Sequence, residues 1–216
     1  ENLTSETIRD IEFNTSGAGV YVVGERGTLI YVLTTNGLEI SYSEGSGEMP
    51  YHFRGVGIRP TGSNEVVVVG SGASVYHYQE EHGMKNLRVY PHSLSSVSFV
   101  TPQEGYVVGA SGLMRYTSDG GQTWRTVNPG TAFGEDINAV SALPSGKALL
   151  GTQNGTLGKI TVAGNGTITF ATETFSGLSA IYSIEHKNGK TYFGGNSGKL
   201  YRSSNGTSWT SLTTNT

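Results

Sequence analysis

A nine-residue pattern recurs five times along this chain, and only a fold built from repeated units accommodates it. It reads "YVVGERGTL" at Tyr21–Leu29, "VVVGSGASV" at Val67–Val75, "YVVGASGLM" at Tyr106–Met114, "LLGTQNGTL" at Leu149–Leu157 and "YFGGNSGKL" at Tyr192–Leu200. Its turn residue falls at Gly27, Ala73, Gly112, Gly155 and Gly198, at intervals of 46, 39, 43 and 43. Upstream runs a second column, an apolar residue, two mostly polar or small ones and another apolar: "IRDI" from Ile8, "FRGV" from Phe53, "LSSV" from Leu94, "INAV" from Ile137 and "LSAI" from Leu178. Downstream, a glycine returns at Gly37, Gly83, Gly121, Gly166 and Gly206, three times as Asn-Gly, the dipeptide that best tolerates positive φ in a hairpin.

Each unit therefore reads as four strands joined by three tight turns, which is a propeller blade. The expected fold is an all-β, five-bladed β-propeller in one domain, with blades over 8–52, 53–93, 94–136, 137–177 and 178–216. Helical repeats would need 3.6-residue periodicity, which is missing, and a β-sandwich has no reason to repeat. "VVVVG" at Val66–Gly70 needs cover on both faces, as an inner strand between blades receives. The reading favours a closed ring of five over a fragment of seven, with Glu1–Thr7 available as a closing strand beside blade five.

The hairpin "YTSDGGQTW" at Tyr116–Trp124 adds a motif. It resembles the Asp-box, or BNR repeat, through Thr117, Asp119, Gly121, Thr123 and Trp124, and "YRSSNGTSW" at Tyr201–Trp209 echoes it with Ser204 in the place of the Asp. With the "YVVG" anchors, the chain is similar to the photosystem assembly- and stability-factor-like and sialidase-like propellers. That resemblance implies a folding staple, in which Asp119 accepts backbone N–H groups and the Trp124 ring packs between blades; Trp124 and Trp209 are both expected to be largely buried.

Catalytic constellations are missing. A five-bladed glycosidase projects acids from its inner strands, but the third position of that strand reads Asp10, Gly55, Ser96, Ala139 and Ala180. A sialidase needs three arginines on one substrate carboxylate, and only Arg9 and Arg54 occupy the matching column. The histidines His52, His77, His82, His92 and His186 show no metal-ligand spacing, so neither metal nor cofactor is expected. "GERG" and "GNSG" join strand to strand rather than strand to helix, which argues against a phosphate loop. The Asn-x-Ser/Thr sequons at Asn2, Asn14, Asn154, Asn165 and Asn205 are read as turns first. A formal net charge of -3 sets up no field for nucleic acid or an anionic membrane surface. Cysteine is absent, which excludes disulfides and thiolate sites, and the sequence has no signal peptide or membrane span. A chain opening "ENLTSET" suits a mature or trimmed protein, so the expected setting is exported (periplasmic, cell-surface or extracellular) or virion-associated.

What remains is binding. Loops carried by a rigid scaffold concentrate ligand contacts, and the irregular ones here are Ser43–His52 and Asn128–Asp136. They nominate Arg26, Tyr51, His52, His92, Phe133, Glu135 and Asp136 as a surface patch. A second nomination is the polar ring Arg9, Arg54, Ser95, Asn138 and Ser179 at the channel mouth, where the two arginines suit an anionic group. The expected activity is a non-enzymatic interaction or scaffold module for a protein or glycan partner; the alternatives are a lectin-like or receptor-binding propeller and, third, a glycosidase. Asp10 and Glu12 are expected either to pair with Arg54 or Arg9 or to face an opening beside blade one.

Overall fold

The computed structural model describes residues 4–33, 39–44, 51–61, 65–79, 83–128 and 133–212. Twenty strands form five antiparallel four-stranded sheets, each drawn from one continuous stretch of chain. Blade one holds β1 Ile8–Phe13, β2 Gly19–Gly24, β3 Leu29–Leu33 and β4 Glu39–Glu44. Blade two holds β5 Phe53–Arg59, β6 Glu65–Gly70, β7 Ser74–Gln79 and β8 Gly83–Val89, and blade three β9 Leu94–Phe99, β10 Gly105–Gly109, β11 Met114–Thr117 and β12 Arg125–Thr126. Blade four holds β13 Ile137–Leu143, β14 Lys147–Thr152, β15 Thr156–Val162 and β16 Ile168–Thr174, and blade five β17 Ile181–Lys187, β18 Lys190–Gly195, β19 Leu200–Ser203 and β20 Thr210–Leu212. The expected turn at Gly37 and the end of the last strand at Thr213 lie outside the described residues, and the described part of the expected closing strand, Thr4–Thr7, is not a strand.

The core lies between blades. Along β6 the four valines alternate: Val66 and Val68 pack toward Tyr21, Val23 and Leu29 of blade one, Val67 and Val69 toward Leu94 and Val97 of blade three, and all four are wholly buried. Blades three and four close on Tyr106, Val108, Ile137 and Leu150, and blades four and five on Leu149, Leu157, Ile181 and Phe193. Where the inner strands come nearest, side chains have no room. A Cβ at Gly57 would lie 3.2 Å from the Val97 carbonyl oxygen, and one at Gly55 3.0 Å from Ser96 Cα.

A repeated hydrogen bond fixes the register. The first residue of each turn between second and third strands donates its N–H to the residue preceding the inner strand: Glu25 to Thr7, Ser71 to His52, Ala110 to Ser93, Gln153 to Asp136 and Asn196 to Ala180. In blade five this sets Ile181, not Leu178, beside Ile8, Phe53, Leu94 and Ile137. The column there is "IYSI" from Ile181, so Tyr182 and Ser183 replace Ser179 and Ala180 as the second and third residues. "LSAI" has the same polarity pattern three residues earlier, which is why the sequence alone admitted it.

The fifth junction differs from the other four. Each internal junction packs the inner strand of one blade on the first two strands of the blade before it, but among the described residues β1 is not packed on blade five in this way. Ile8 is 42%, Ile11 55% and Phe13 51% exposed, whereas Phe53, Val56 and Ile58, their counterparts in blade two, are buried. The expectation of a ring closed by equivalent interfaces is therefore corrected: an exposed apolar edge remains on blade one.

Candidate functional site at the channel mouth

Every blade carries a β-bulge at the same place, between the first and third residues of its inner strand. The extra residue pairs with nothing on the neighbouring strand, and a bulge of this kind re-aims its side chain. The five extra residues are Arg9, Arg54, Ser95, Asn138 and Tyr182, and together they line the mouth of a cavity of about 360 Å³ bounded by all five inner strands. Ser179, nominated for this ring, lies outside it and binds Asn196 instead, donating its N–H to Asn196 Oδ1 at 2.9 Å. Tyr182 takes its place, 57% exposed.

Charge is unevenly placed in this ring. Arg9 is held by an ion pair with Glu25, whose carboxyl is kept below its usual range first by the Arg9 hydrogen bond. Asn138 donates to Gln153 Oε1 at 3.1 Å and to the Ile181 carbonyl at 3.0 Å, a tie from blade four to blade five. Arg54 is exposed and has no ion-pair partner among the described residues.

Deeper in the channel the sign reverses. Asp10, Glu12 and Glu185 line it. None of them pairs with Arg9 or Arg54, contrary to the paired expectation. Asp10 Oδ2 accepts the Val56 N–H at 3.0 Å across the blade junction, and Oδ1 accepts that of Ile11 at 2.9 Å. Burial pushes the Asp10 carboxyl up, against these two bonds and with help from Glu185. Glu12 is pushed to about 7, by burial first and then by Glu185 and Asp10, with Lys187 opposing. Burial also raises Glu185, against Lys187 and His186. Among the described residues, no group of three or more His, Asp or Glu side chains is placed to hold a metal ion.

The loop patch separates into different roles. His52 Nδ1 accepts the Arg26 N–H at 3.3 Å, and Asp136 Oδ1 accepts that of Ser111 at 2.9 Å. Both residues sit just before an inner strand and tie their blade to the turn of the preceding one. Arg26 lies 3.6 Å from Glu6, and the half-buried Tyr51 ring packs beside Gly72. Phe133 is not a surface residue: at 2% exposure it packs against Phe170 and over Gly158, so its place in the patch is withdrawn. Glu135 is half-buried, and His92 is exposed with no hydrogen-bond partner among the described residues. Only the inner-strand ring converges on one cavity.

The Asp119 hairpin is tied locally. Asp119 Oδ1 accepts Thr117 Oγ1–H at 2.8 Å and the Thr123 N–H at 2.9 Å, its Oδ2 accepts Thr123 Oγ1–H, and Gly121 N–H donates to Thr117 Oγ1 at 2.8 Å. Partial burial raises the carboxyl, but the bonds from Thr123 and Thr117 outweigh it and the net shift is downward. Trp124 is buried edge-on to Phe99. In blade five the acceptor is Asn205, not Ser204: its Oδ1 takes the N–H groups of Thr207 and Ser208 at 2.9 and 2.8 Å. Trp209 is only half-buried and donates to Glu173 Oε2 at 3.1 Å. The sequence reading also missed the cluster of Arg59, Glu65 and His77 on blade two; Arg59 pairs with Glu65 and donates from Nε to the Pro102 carbonyl of blade three at 3.0 Å.

Five four-stranded blades around a channel, with one inner-strand residue of each at its mouth, define a β-propeller. The chain belongs to the family described as Photosynthesis system II assembly factor YCF48, whose model matches residues 77–207. Among solved structures it is similar to YCF48 from Cyanidioschyzon merolae, at 16% identity and a TM-score of 0.66 over 98% of this chain and 73% of that one. It is similar to YCF48 bound to D1 peptide at 14% identity and a TM-score of 0.51, over 97% and 81%. The WD40 repeats of RRP9 superpose with a TM-score of 0.78 at 10% identity, over 93% of this chain, which spans only 61% of that chain. At these identities the likeness is one of fold. No curated protein matches the sequence.

Proposed function

We propose that this chain is a non-enzymatic protein-binding module that receives an extended peptide segment at the channel mouth, with an anionic group of the peptide against Arg54 and Arg9. The observation that carries this reading is the bulge ring: one re-aimed side chain per blade over a cavity of about 360 Å³, with an exposed guanidinium at Arg54 that no carboxylate of the described residues neutralises. A guanidinium presents a planar fork of donors to a carboxylate. The acids below it would turn a second negative group away, so the ring selects one anionic point rather than an acidic run. Family membership supports a peptide partner, because a YCF48 structure holds D1 peptide. A glycan partner has no comparable support.

The test uses a fluorescently labelled D1 peptide and measures anisotropy. Saturable binding that Arg54→Glu weakens by about tenfold or more, equivalent to about 1.4 kcal/mol, is the expected result. Binding that Arg54→Glu and Arg9→Glu both leave unchanged would move the site off the channel mouth, and no binding at any attainable concentration would remove the peptide reading.

A further inference from the structure

The second and third strands of each blade face the following blade with one cross-strand pair, which is Tyr21/Tyr31, Val67/His77, Tyr106/Tyr116 and Leu149/Lys159 in blades one to four. In blades one and three the pair is two packed tyrosine rings, with centroids 4.5 and 5.0 Å apart. The Tyr106 hydroxyl reaches across its junction and donates to the Gly146 carbonyl, in the first hairpin of blade four, at 2.7 Å. In blade two the place is taken by Arg59, Glu65 and His77, with Arg59 bonded to Pro102 of blade three. Blade four has no ring to offer. Between it and blade five lies a cavity of about 420 Å³, with Leu143, Lys147, Leu149 and Lys159 on one side and His186 and Gly189 on the other. Gly189 is the counterpart of Gly146, because each stands last in the hairpin leading to the second strand of its blade.

Charge at the rim points to what this cavity takes. Two residues before the first member of each pair stand Gly19, Glu65, Glu104 and Lys147. Gly19 lies against the Tyr31 ring, Glu65 pairs with Arg59, and Glu104 accepts the Tyr116 hydroxyl at 3.1 Å, so each is answered from within its own blade. Lys147 is exposed and has no ion-pair partner among the described residues. Lys159 is drawn aside, because Glu173 Oε2 accepts its ammonium at 3.0 Å and the Trp209 indole N–H at 3.1 Å. His186 is fixed by a 2.8 Å contact between Nδ1 and the hydroxyl of the buried Thr191. A slot that holds rings at two sister junctions is thus left open beside one unanswered cation, with a volume in the range of small-molecule sites.

We propose that this cavity binds a small aromatic carboxylate, its ring against Leu143, Leu149 and His186 and its carboxylate at the rim on Lys147. A flat ring suits the slot because the same pairing of strands holds tyrosine rings in blades one and three, and burying it against leucine supplies the hydrophobic gain. The carboxylate suits the rim because it gives Lys147 a charge-assisted hydrogen bond that the chain itself does not provide. The site lies where the inner strands end, remote from the bulges at their start, and is separate from the peptide surface proposed above.

Titration of benzoate into the isotope-labelled chain, followed by amide chemical shifts, tests this. Saturable shifts centred on Leu149, Thr161 and Gly189 are expected, with a Kd of about 1 mM or tighter, within reach of a ligand of about nine heavy atoms. Lys147→Glu, at an exposed position, is expected to weaken binding about tenfold or more, and benzyl alcohol, which keeps the ring without the charge, to bind about tenfold more weakly than benzoate. Leu149→Tyr/Lys159→Tyr copies the pair of blade three and is expected to fill the cavity and abolish the shifts, with circular dichroism and melting to confirm its fold. No saturable shift in the wild type, undiminished binding by Lys147→Glu, or shifts centred on Arg54 would overturn the proposal. So would tighter binding of N-acetylphenylalaninamide than of benzoate, which would make the slot a seat for an aromatic side chain of a partner protein. None of these results decides the peptide reading, which Arg54→Glu tests.

Discussion

Glu12 carries the largest penalty among the channel acids, and its sign can be worked out. Its native carboxyl titrates at about 7 against an ordinary 4.5, so between these values the native state holds a proton that the unfolded chain has released. This contribution to stability falls as pH rises through that window, and the penalty is complete above about 7. Glu12→Gln is expected to raise stability at pH 8 by about 1 kcal/mol, allowing for screening by channel water, and to change nothing at pH 4. Equal shifts at both pH values in urea denaturation would show that Glu12 is fully solvated. Asp119 behaves oppositely. Its carboxyl is held low, so its contribution is present above the unfolded value of 3.8 and is lost as pH falls through the lower native value. Asp119→Ala should cost about 1 kcal/mol at pH 7 and less at pH 3, whereas Trp124→Ala, emptying a buried site, should cost about 3–5 kcal/mol at both, read by the same denaturation series.

At the scale of elements, the inner strand explains both what the sequence disclosed and what it concealed. Valine runs, turn glycines and hairpin dipeptides depend on local chemistry, and they placed four strands in every blade. The bulge depends on how two strands pair, so it is silent in the sequence, although the repeat column alone brought Arg9, Arg54, Ser95 and Asn138 to the channel mouth, where Tyr182 joins them. Arg9, Arg54, Ser95 and Asn138 were visible because their column is fixed by strong apolar neighbours, whereas Tyr182 was hidden by an equally good pattern three residues upstream. Phe133 misled in another way: an aromatic in a loop reads as surface, yet Gly158 opens a slot that takes its ring. The junction between blades two and three tests how tightly inner strands are apposed. Gly57 lets Val97 approach, so Gly57→Val should cost about 1–3 kcal/mol through overpacking, measured by thermal melting. A neutral result would mean that the strands part without strain, as a loosely packed junction would allow.

Over the whole molecule, cohesion runs from blade to neighbouring blade, as in other repeat architectures where stability is approximately a sum of unit and interface terms. Blades two, three and four are covered on both faces, each between two apolar clusters, while blade one has one cluster against blade two and a smaller one of Val22, Ile30 and Val32 on its other face, where Ile11 and Phe13 of β1 stay exposed. Opening free energies should follow this order. Hydrogen exchange on the dilute monomer is therefore expected to protect the amides of β6, β10 and β14 most, near the global unfolding limit, and those of β1 distinctly less. In β1 the apolar side chains of Ile8, Ile11 and Phe13 meet water. Uniform protection from β1 through β18 at low concentration would mean that blade one gains cover from within its own chain, and the open edge would then not persist in solution.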